Sequence, residues 1–295
     1  MPYETINGIE MYYESKGEGM PIVFIHPPLL TGAVFRYQQS SLSPSYRVIT
    51  FDIRGHGKSS PSETPLTYGL IVEDMKQLMN KLQIEKVIVA GYSTGGSIAL
   101  EAMLTYPDLF VGGVLISAMS ETSDIYLRNR IRIAVGLSSW RPSERLLRWG
   151  IAWGNSDSRT TFRTLRSDAR RGSRRNIRQL YAYSLQYRCT ERLPEIQAPV
   201  LLLYGGKDRN FKRYRTILRH GLPHSQLVVI GSAKHQLPTK AALQTNDVIR
   251  RWVAKIVKEA NLGVIHAPES EADVTAVHIT ESDPSVLDQE NRASP

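Results

Sequence analysis

Three short segments carry residue types that can do covalent chemistry. Gly91-Tyr92-Ser93-Thr94-Gly95-Gly96 sets a serine among glycines, after the apolar run 86–90 and before a helical pattern over 95–106. A strand that turns abruptly into a helix holds such a serine in a strained conformation, and the glycines leave room for the turn. The helix behind it aims its free amides at negative charge developing near Ser93, with the Thr94 amide as the first oxyanion donor. The alternative is a Gly-rich turn that merely caps a helix. The strand before it and the helix after it favour the chemical reading. A serine hydroxyl attacks only when a base takes its proton, and the base needs a third group to orient it. Asp208 ends the segment 201–208, a strand followed by a turn, and His235 follows the apolar run 227–230 within Gly231-Ser232-Ala233-Lys234-His235-Gln236. All three side chains then fall just past the carboxyl ends of strands, where loops distant in sequence can converge.

The rest of the chain must supply that sheet edge. Apolar runs at 22–25, 48–51, 86–90, 113–116, 200–204 and 227–230 read as buried strands. Val72, Met75, Leu78, Met79 and Leu82 recur at helical spacing, as do Leu243, Val248, Ile249, Trp252, Val253, Ile256 and Val257. Strands alternating with helices predict an α/β fold with a mostly parallel sheet covered on both faces. Asn7-Gly8 between two alternating runs predicts an antiparallel hairpin at the start. The alternation breaks between 121 and 194, a polar, helical, Arg-rich stretch read as an insertion over the sheet. The expected organisation is a core of residues 1–120 and 195–262, a helical cap at 121–194, and an acidic tail at 263–295 whose composition suits disorder.

The chain has 295 residues, 41% of them hydrophobic, which suffices for one large α/β core. A single cysteine, Cys189, precludes an internal disulfide. The first residues lack a basic and apolar leader, and no apolar run is long enough to span a bilayer, so a cytoplasmic protein is expected. The net charge of +9 is unevenly placed: residues 121–190 hold fifteen Arg and five acidic residues, whereas 261–295 hold one Arg and seven acidic residues. The plain reading of the basic stretch is a solvated helical surface, and a contact of the acidic tail with it is an intramolecular alternative. Arg163, Arg166, Arg170, Arg171, Arg174, Arg175 and Arg178 could face nucleic acid or a membrane, but no stacking pattern or binding-fold signature accompanies them, and no nucleic-acid partner is expected. The seven histidines show no metal-ligand spacing, and no dinucleotide or phosphate loop follows the first strands, so no cofactor is expected.

These pieces together resemble the α/β-hydrolase superfamily from about residue 3 to 260. The matching segments are Ile25-His26, Asp52-Ile53-Arg54-Gly55-His56-Gly57-Lys58-Ser59, the serine turn, Tyr204-Gly205-Gly206-Lys207-Asp208 and Ala233-Lys234-His235. The resemblance implies that Ser93 attacks a carbonyl, His235 takes and returns the proton, and Asp208 holds the imidazole. It implies that His26 braces the neighbouring loop, that the turn around His56 is structural, and that the helical insertion shapes a pocket for a small-molecule substrate. Tyr92 and Leu29 are candidate lining residues, with Trp140, Trp149 and Trp153 split between pocket and cap core.

One segment departs from the family pattern. Relatives carry His-Gly-x after the first parallel strand, and the amide of x is the second oxyanion donor. This chain reads His26-Pro27-Pro28-Leu29, and proline has no N–H. Losing one such donor costs roughly 10²–10³ in rate. A shifted loop in which Leu29 donates its amide would restore the donor, as would a cis peptide. The expected activity is hydrolysis of a small carboxylic ester or related acyl compound through an acyl-serine. C–C bond hydrolysis and a perhydrolase side reaction are variants of the same machinery. A slow-turnover ligand-binding or signalling protein on this fold is the alternative that Pro27-Pro28 supports.

Overall fold

The computed structural model describes residues 2–261 and 277–279. The chain opens with β1 (Tyr3–Ile6) and β2 (Ile9–Lys16), joined through Asn7 and Gly8 at φ 44° and 75°. Two successive positive φ values make the tight turn whose twist suits a hairpin. Strands β3 (Pro21–Ile25), β4 (Arg47–Phe51), β5 (Val87–Tyr92), β6 (Phe110–Ile116), β7 (Val200–Gly205) and β8 (Ser225–Ile230) follow. The order across the sheet is β1-β2-β4-β3-β5-β6-β7-β8, with β1, β2 and β4 antiparallel in turn and all later pairings parallel. The expected tail at 263–295 lies outside the described residues except for β9 (Val277–Ile279), which pairs in parallel with β8 at the sheet edge.

Alternate residues of each strand feed two cores. Val23, Ile25, Val87 and Val89 pack with Ile71 and Met75 of α2 (Tyr68–Lys81) and Ile98 of α3 (Thr94–Thr105). Ile22, Phe24, Ile88 and Ala90 pack with Leu42 of α1 (Arg36–Leu42) and with Ile249, Trp252 and Val253 of α10 (Ala242–Asn261). This two-sided burial explains why the central strands read as unbroken apolar runs. Each such side chain contributes about 1.5–3 kcal/mol on burial, so the central strands carry much of the stability of the core.

Four helices separate β6 from β7: α4 (Ile125–Leu137), α5 (Arg141–Gly154), α6 (Arg159–Ala169) and α7 (Arg174–Gln186). Their starts are legible in local chemistry. Asp124, Ser158 and Ser173 accept from the Leu127, Thr161 and Asn176 amides, and Pro142 opens α5. Each cap of this kind adds about 1 kcal/mol. The short helices α8 (Lys212–Gly221) and α9 (Leu237–Lys240) flank β8.

The 52–59 turn is structural throughout. Arg54 makes a two-pronged contact with Asp74 on α2, with 2.6 Å to each oxygen, and both groups are buried. Asp52 accepts from the Gly32 and Lys58 amides at 2.9 and 2.8 Å. Burial outweighs those two bonds and pushes the Asp52 carboxyl up to about 6.

Candidate active site

Ser93 sits between the end of β5 and the start of α3 at φ 54°, ψ −120°. A serine there is strained, and the neighbours enforce the strain. A methyl group on Gly95 would lie 2.1 Å from the Ile25 carbonyl oxygen, and one on Gly91 would lie 2.3 Å from the Gly95 carbonyl oxygen. Only glycine lets β3, β5 and α3 approach this closely. The Ser93 amide donates to Ile116 O at 2.8 Å, and Gly96 N returns to Ser93 O at 2.9 Å.

Asp208 and His235 converge on this turn from the ends of β7 and β8. His235 Nδ1 lies 2.7 Å from Asp208 Oδ2, and its Nε2 lies 3.1 Å from Ser93 Oγ. Asp208 is nearly buried and His235 about one-fifth exposed, so one end of the chain of contacts is dry and the other is open to a reactant. The carboxylate favours the tautomer with the proton on Nδ1, which leaves Nε2 free to accept from the serine hydroxyl. Such an arrangement can generate an alkoxide-like nucleophile and then return the proton to a leaving group.

The loop after β3 shows how the Pro-Pro segment is accommodated. All peptide bonds of the described residues are trans. Leu30 N donates to Pro27 O at 3.2 Å, closing a turn in which Leu29 adopts φ 66°. Positive φ at that turn position is ordinarily glycine's, so a buried leucine there is a second strained residue beside the serine. His26 clamps the same turn: Nδ1 lies 3.0 Å from Pro27 O, and the Ile53 amide donates to Nε2 at 2.9 Å. Since Nε2 must accept, the His26 proton sits on Nδ1. Burial, with nearby His56, pushes His26 down to about 3, so the ring is neutral. Thr94, the first residue of α3, has an amide with no carbonyl one helical turn behind it to bond.

Two participants had no signal in the sequence reading. Ser117, buried at the end of β6 with φ 47°, donates from Oγ to the His235 carbonyl at 3.1 Å. Its position at the same sheet edge as the other strand ends could have flagged it. Phe211, just beyond Asp208, lays its ring 4.3 Å from the His235 ring. Thus Leu29, Ser93 and Ser117 are three of the five non-glycine residues with positive φ among those described, and all three lie at one edge of the sheet. Strain concentrates where side chains must be held in place.

Tyr92 borders the same site, with its ring centroid 5.5 Å from that of His235. Tyr92 is buried and donates to Asn155 Oδ1 at 2.9 Å, so it acts as a strut between the serine turn and the end of α5. Trp140, Trp149 and Trp153 are neither core nor enclosed pocket: they are 67%, 44% and 59% exposed, and Trp149 and Trp153 stack with centroids 5.7 Å apart. His56 is buried in the structural turn with Nδ1 3.3 Å from Arg54 O, and burial pushes it down to about 4. Among the described residues, no group of His, Cys, Asp or Glu side chains could hold a metal ion, and no helix is long and apolar enough to cross a membrane.

The fold is that of the α/β hydrolases. Residues 20–238 match the family described as alpha/beta hydrolase fold, and the chain belongs to it. A human relative, the serine hydrolase BPHL, is 27% identical over 255 residues, 83% of each chain. The AB hydrolase superfamily protein YisY of Bacillus subtilis is 35% identical over 101 residues, 34% of this chain and 38% of its own length, so this chain matches well under half of that relative. Among solved structures, an esterase from Exiguobacterium antarcticum superposes with a TM-score of 0.77 at 21% identity, covering 85% of this chain and 98% of that one. At that identity the likeness speaks to fold alone.

Proposed function

We propose that this hydrolase is serine-dependent and cleaves a small carboxylic ester or related acyl compound. The observation that carries the reading is the unbroken path from Asp208 through His235 to Ser93, at 2.7 and 3.1 Å, ending on a strained and partly open hydroxyl. In this mechanism Ser93 Oγ forms a bond to the acyl carbon while its proton passes to His235 Nε2. The resulting oxyanion is held by the Thr94 and Leu29 amides. Collapse expels the alcohol, which takes the proton from His235. Water, deprotonated by the same imidazole, then releases the acid and restores Ser93. The oxyanion role of Leu29 is supported by the turn that the two prolines leave intact: the strained φ of Leu29 and the His26 clamp hold its amide in one orientation. The helical insertion serves as the cap, because Asn155 at the end of α5 reaches Tyr92 beside the nucleophile.

The test is hydrolysis of p-nitrophenyl acetate and butyrate by the wild type and by Ser93→Ala, each shown to be folded by circular dichroism. Turnover that disappears in the variant is expected. Equal rates in both proteins would refute the serine assignment.

A further inference from the structure

The insertion holds a second concave surface, a cleft of about 1490 Å³ between α5, α6 and α7. Eight arginines line it: three from α5, Arg166 and Arg170 from α6 and its end, and three from α7. One carboxylate, Glu144, lines it as well, and Arg148 takes it at 2.5 Å. Among the described residues, no other of the eight has a carboxylate partner. Arg148 is 6% exposed. Its Nη2 donates to Glu144 Oε1 and to Gly172 O, and its buried Nη1 has no partner. A buried guanidinium held by these two contacts gives the cleft a fixed cationic wall, to which the exposed arginines add their charge.

The residue type narrows the acceptor. Residues 121–190 contain fifteen Arg and no Lys, whereas the rest of the chain contains eleven of each. A merely solvated helix surface has no reason to refuse lysine. Planar guanidinium forks do have a reason to be chosen where bidentate phosphate contacts are made. Seven arginines without carboxylate partners around one cleft also repel one another, and that repulsion is relieved by a ligand of high negative charge.

We infer that this cleft binds a soluble, multiply phosphorylated small molecule. The concavity favours a small anion, which several arginines can surround at once, over a flat lipid surface. Trp149 at the rim, stacked on Trp153, adds an aromatic face for an attached ring such as a nucleobase. The inference concerns the insertion alone and goes beyond the ester chemistry of Ser93, so the two can fail separately.

Isothermal titration of the full chain with sodium tripolyphosphate, and separately with ATP, at about 0.15 M NaCl tests it under physiological screening. A single saturable site is expected. Arg170→Gln with Arg178→Gln, both exposed and therefore tolerant of change, should weaken it about tenfold or more, the effect of removing hydrogen bonds to a charged group. Lys212→Gln with Arg213→Gln, an exposed pair of equal charge on α8, should leave it within about twofold, well inside the loss expected for a contacting pair. Unchanged thermal midpoints for both double variants exclude unfolding as the cause. The inference is overturned by no saturable binding of either anion, or by equal weakening in both pairs. Sedimentation with phosphatidylserine vesicles without tripolyphosphate binding also overturns it, in favour of a membrane surface.

Discussion

Lowering the pH from 7 to 5 should destabilise this protein through two buried imidazoles that have nothing to do with proton transfer. His26 is held neutral at about 3 and His56 at about 4, each chiefly by burial, against an unfolded value of 6.5. A depressed folded value means that stability is fully present above 6.5 and is lost as pH falls toward 4 and 3. Between pH 7 and 5 the unfolded chain takes up protons at both histidines that the folded chain refuses, a loss of about 2 kcal/mol for each. Asp52 works the other way. Its folded value of about 6 lies above 3.8, so its protonated form favours the fold and returns about 1 kcal/mol over the same range. The net loss from these three groups is about 2–3 kcal/mol, a large fraction of the stability of an ordinary domain. Urea unfolding at the two pH values measures the total. His56→Asn isolates one part, because the amide can keep a donor near Arg54 O while removing the titration. The variant should lose about 2 kcal/mol less than the wild type between pH 7 and 5. Equal losses in the two proteins would refute the assignment of His56 as a buried neutral ring. So would a nuclear magnetic resonance titration of His26 with a midpoint above 5.

Other outcomes follow from the site. Asp208→Asn should keep the fold but lower kcat/KM for p-nitrophenyl acetate by about 10³–10⁴, because His235 loses its orienting acceptor; a loss under tenfold would remove Asp208 from the relay. Ser93→Gly should exceed Ser93→Ala in stability by about 1 kcal/mol in urea, since φ 54° is strained for any side chain; equal stabilities would mean that the turn is unstrained. Gly95→Ala should be the most destabilising of these changes, with a thermal midpoint well below that of the wild type, because its methyl would meet the backbone of Ile25; a midpoint like the wild type's would show that β3 can move away. In a crystal of the protein carrying a phosphonate on Ser93, one phosphonyl oxygen should sit about 3 Å from both the Leu29 and Thr94 amides, the distance a working oxyanion hole needs; a Leu29 amide turned away would leave Thr94 as the only member of the proposed pair.

What could be read in advance, and what could not, divides along a physical line. The central strands were legible because both faces are buried, and a run such as Leu201-Leu202-Leu203 has no other reading at that length. The serine turn was legible because steric exclusion writes glycine at 91 and 95. Convergence of Asp208 and His235 on Ser93 followed from topology: a parallel sheet delivers every strand's carboxyl end to one edge. Three features escaped for the converse reason. Helix α8 is short and strongly basic, with Tyr214 and Leu218 buried on its inner side, so its apolar stripe has too few turns to stand out. The tryptophans could not be placed, because the same residue serves a core or an exposed stack, and only the packing of α5 on α6 decides between them. The positive φ of Leu29 escaped because propensity argues against a branched residue there. Its place is set from outside, by His26 holding Pro27 and by burial of the leucine side chain. That last case bears on the chemistry. Two prolines stand where relatives carry an amide donor, yet the backbone beyond them is bent into a conformation that leucine resists. A loop with no duty to the site would relax or take glycine there. A strained leucine at the same sheet edge as a strained serine supports the proposed role of Leu29 as a displaced oxyanion donor.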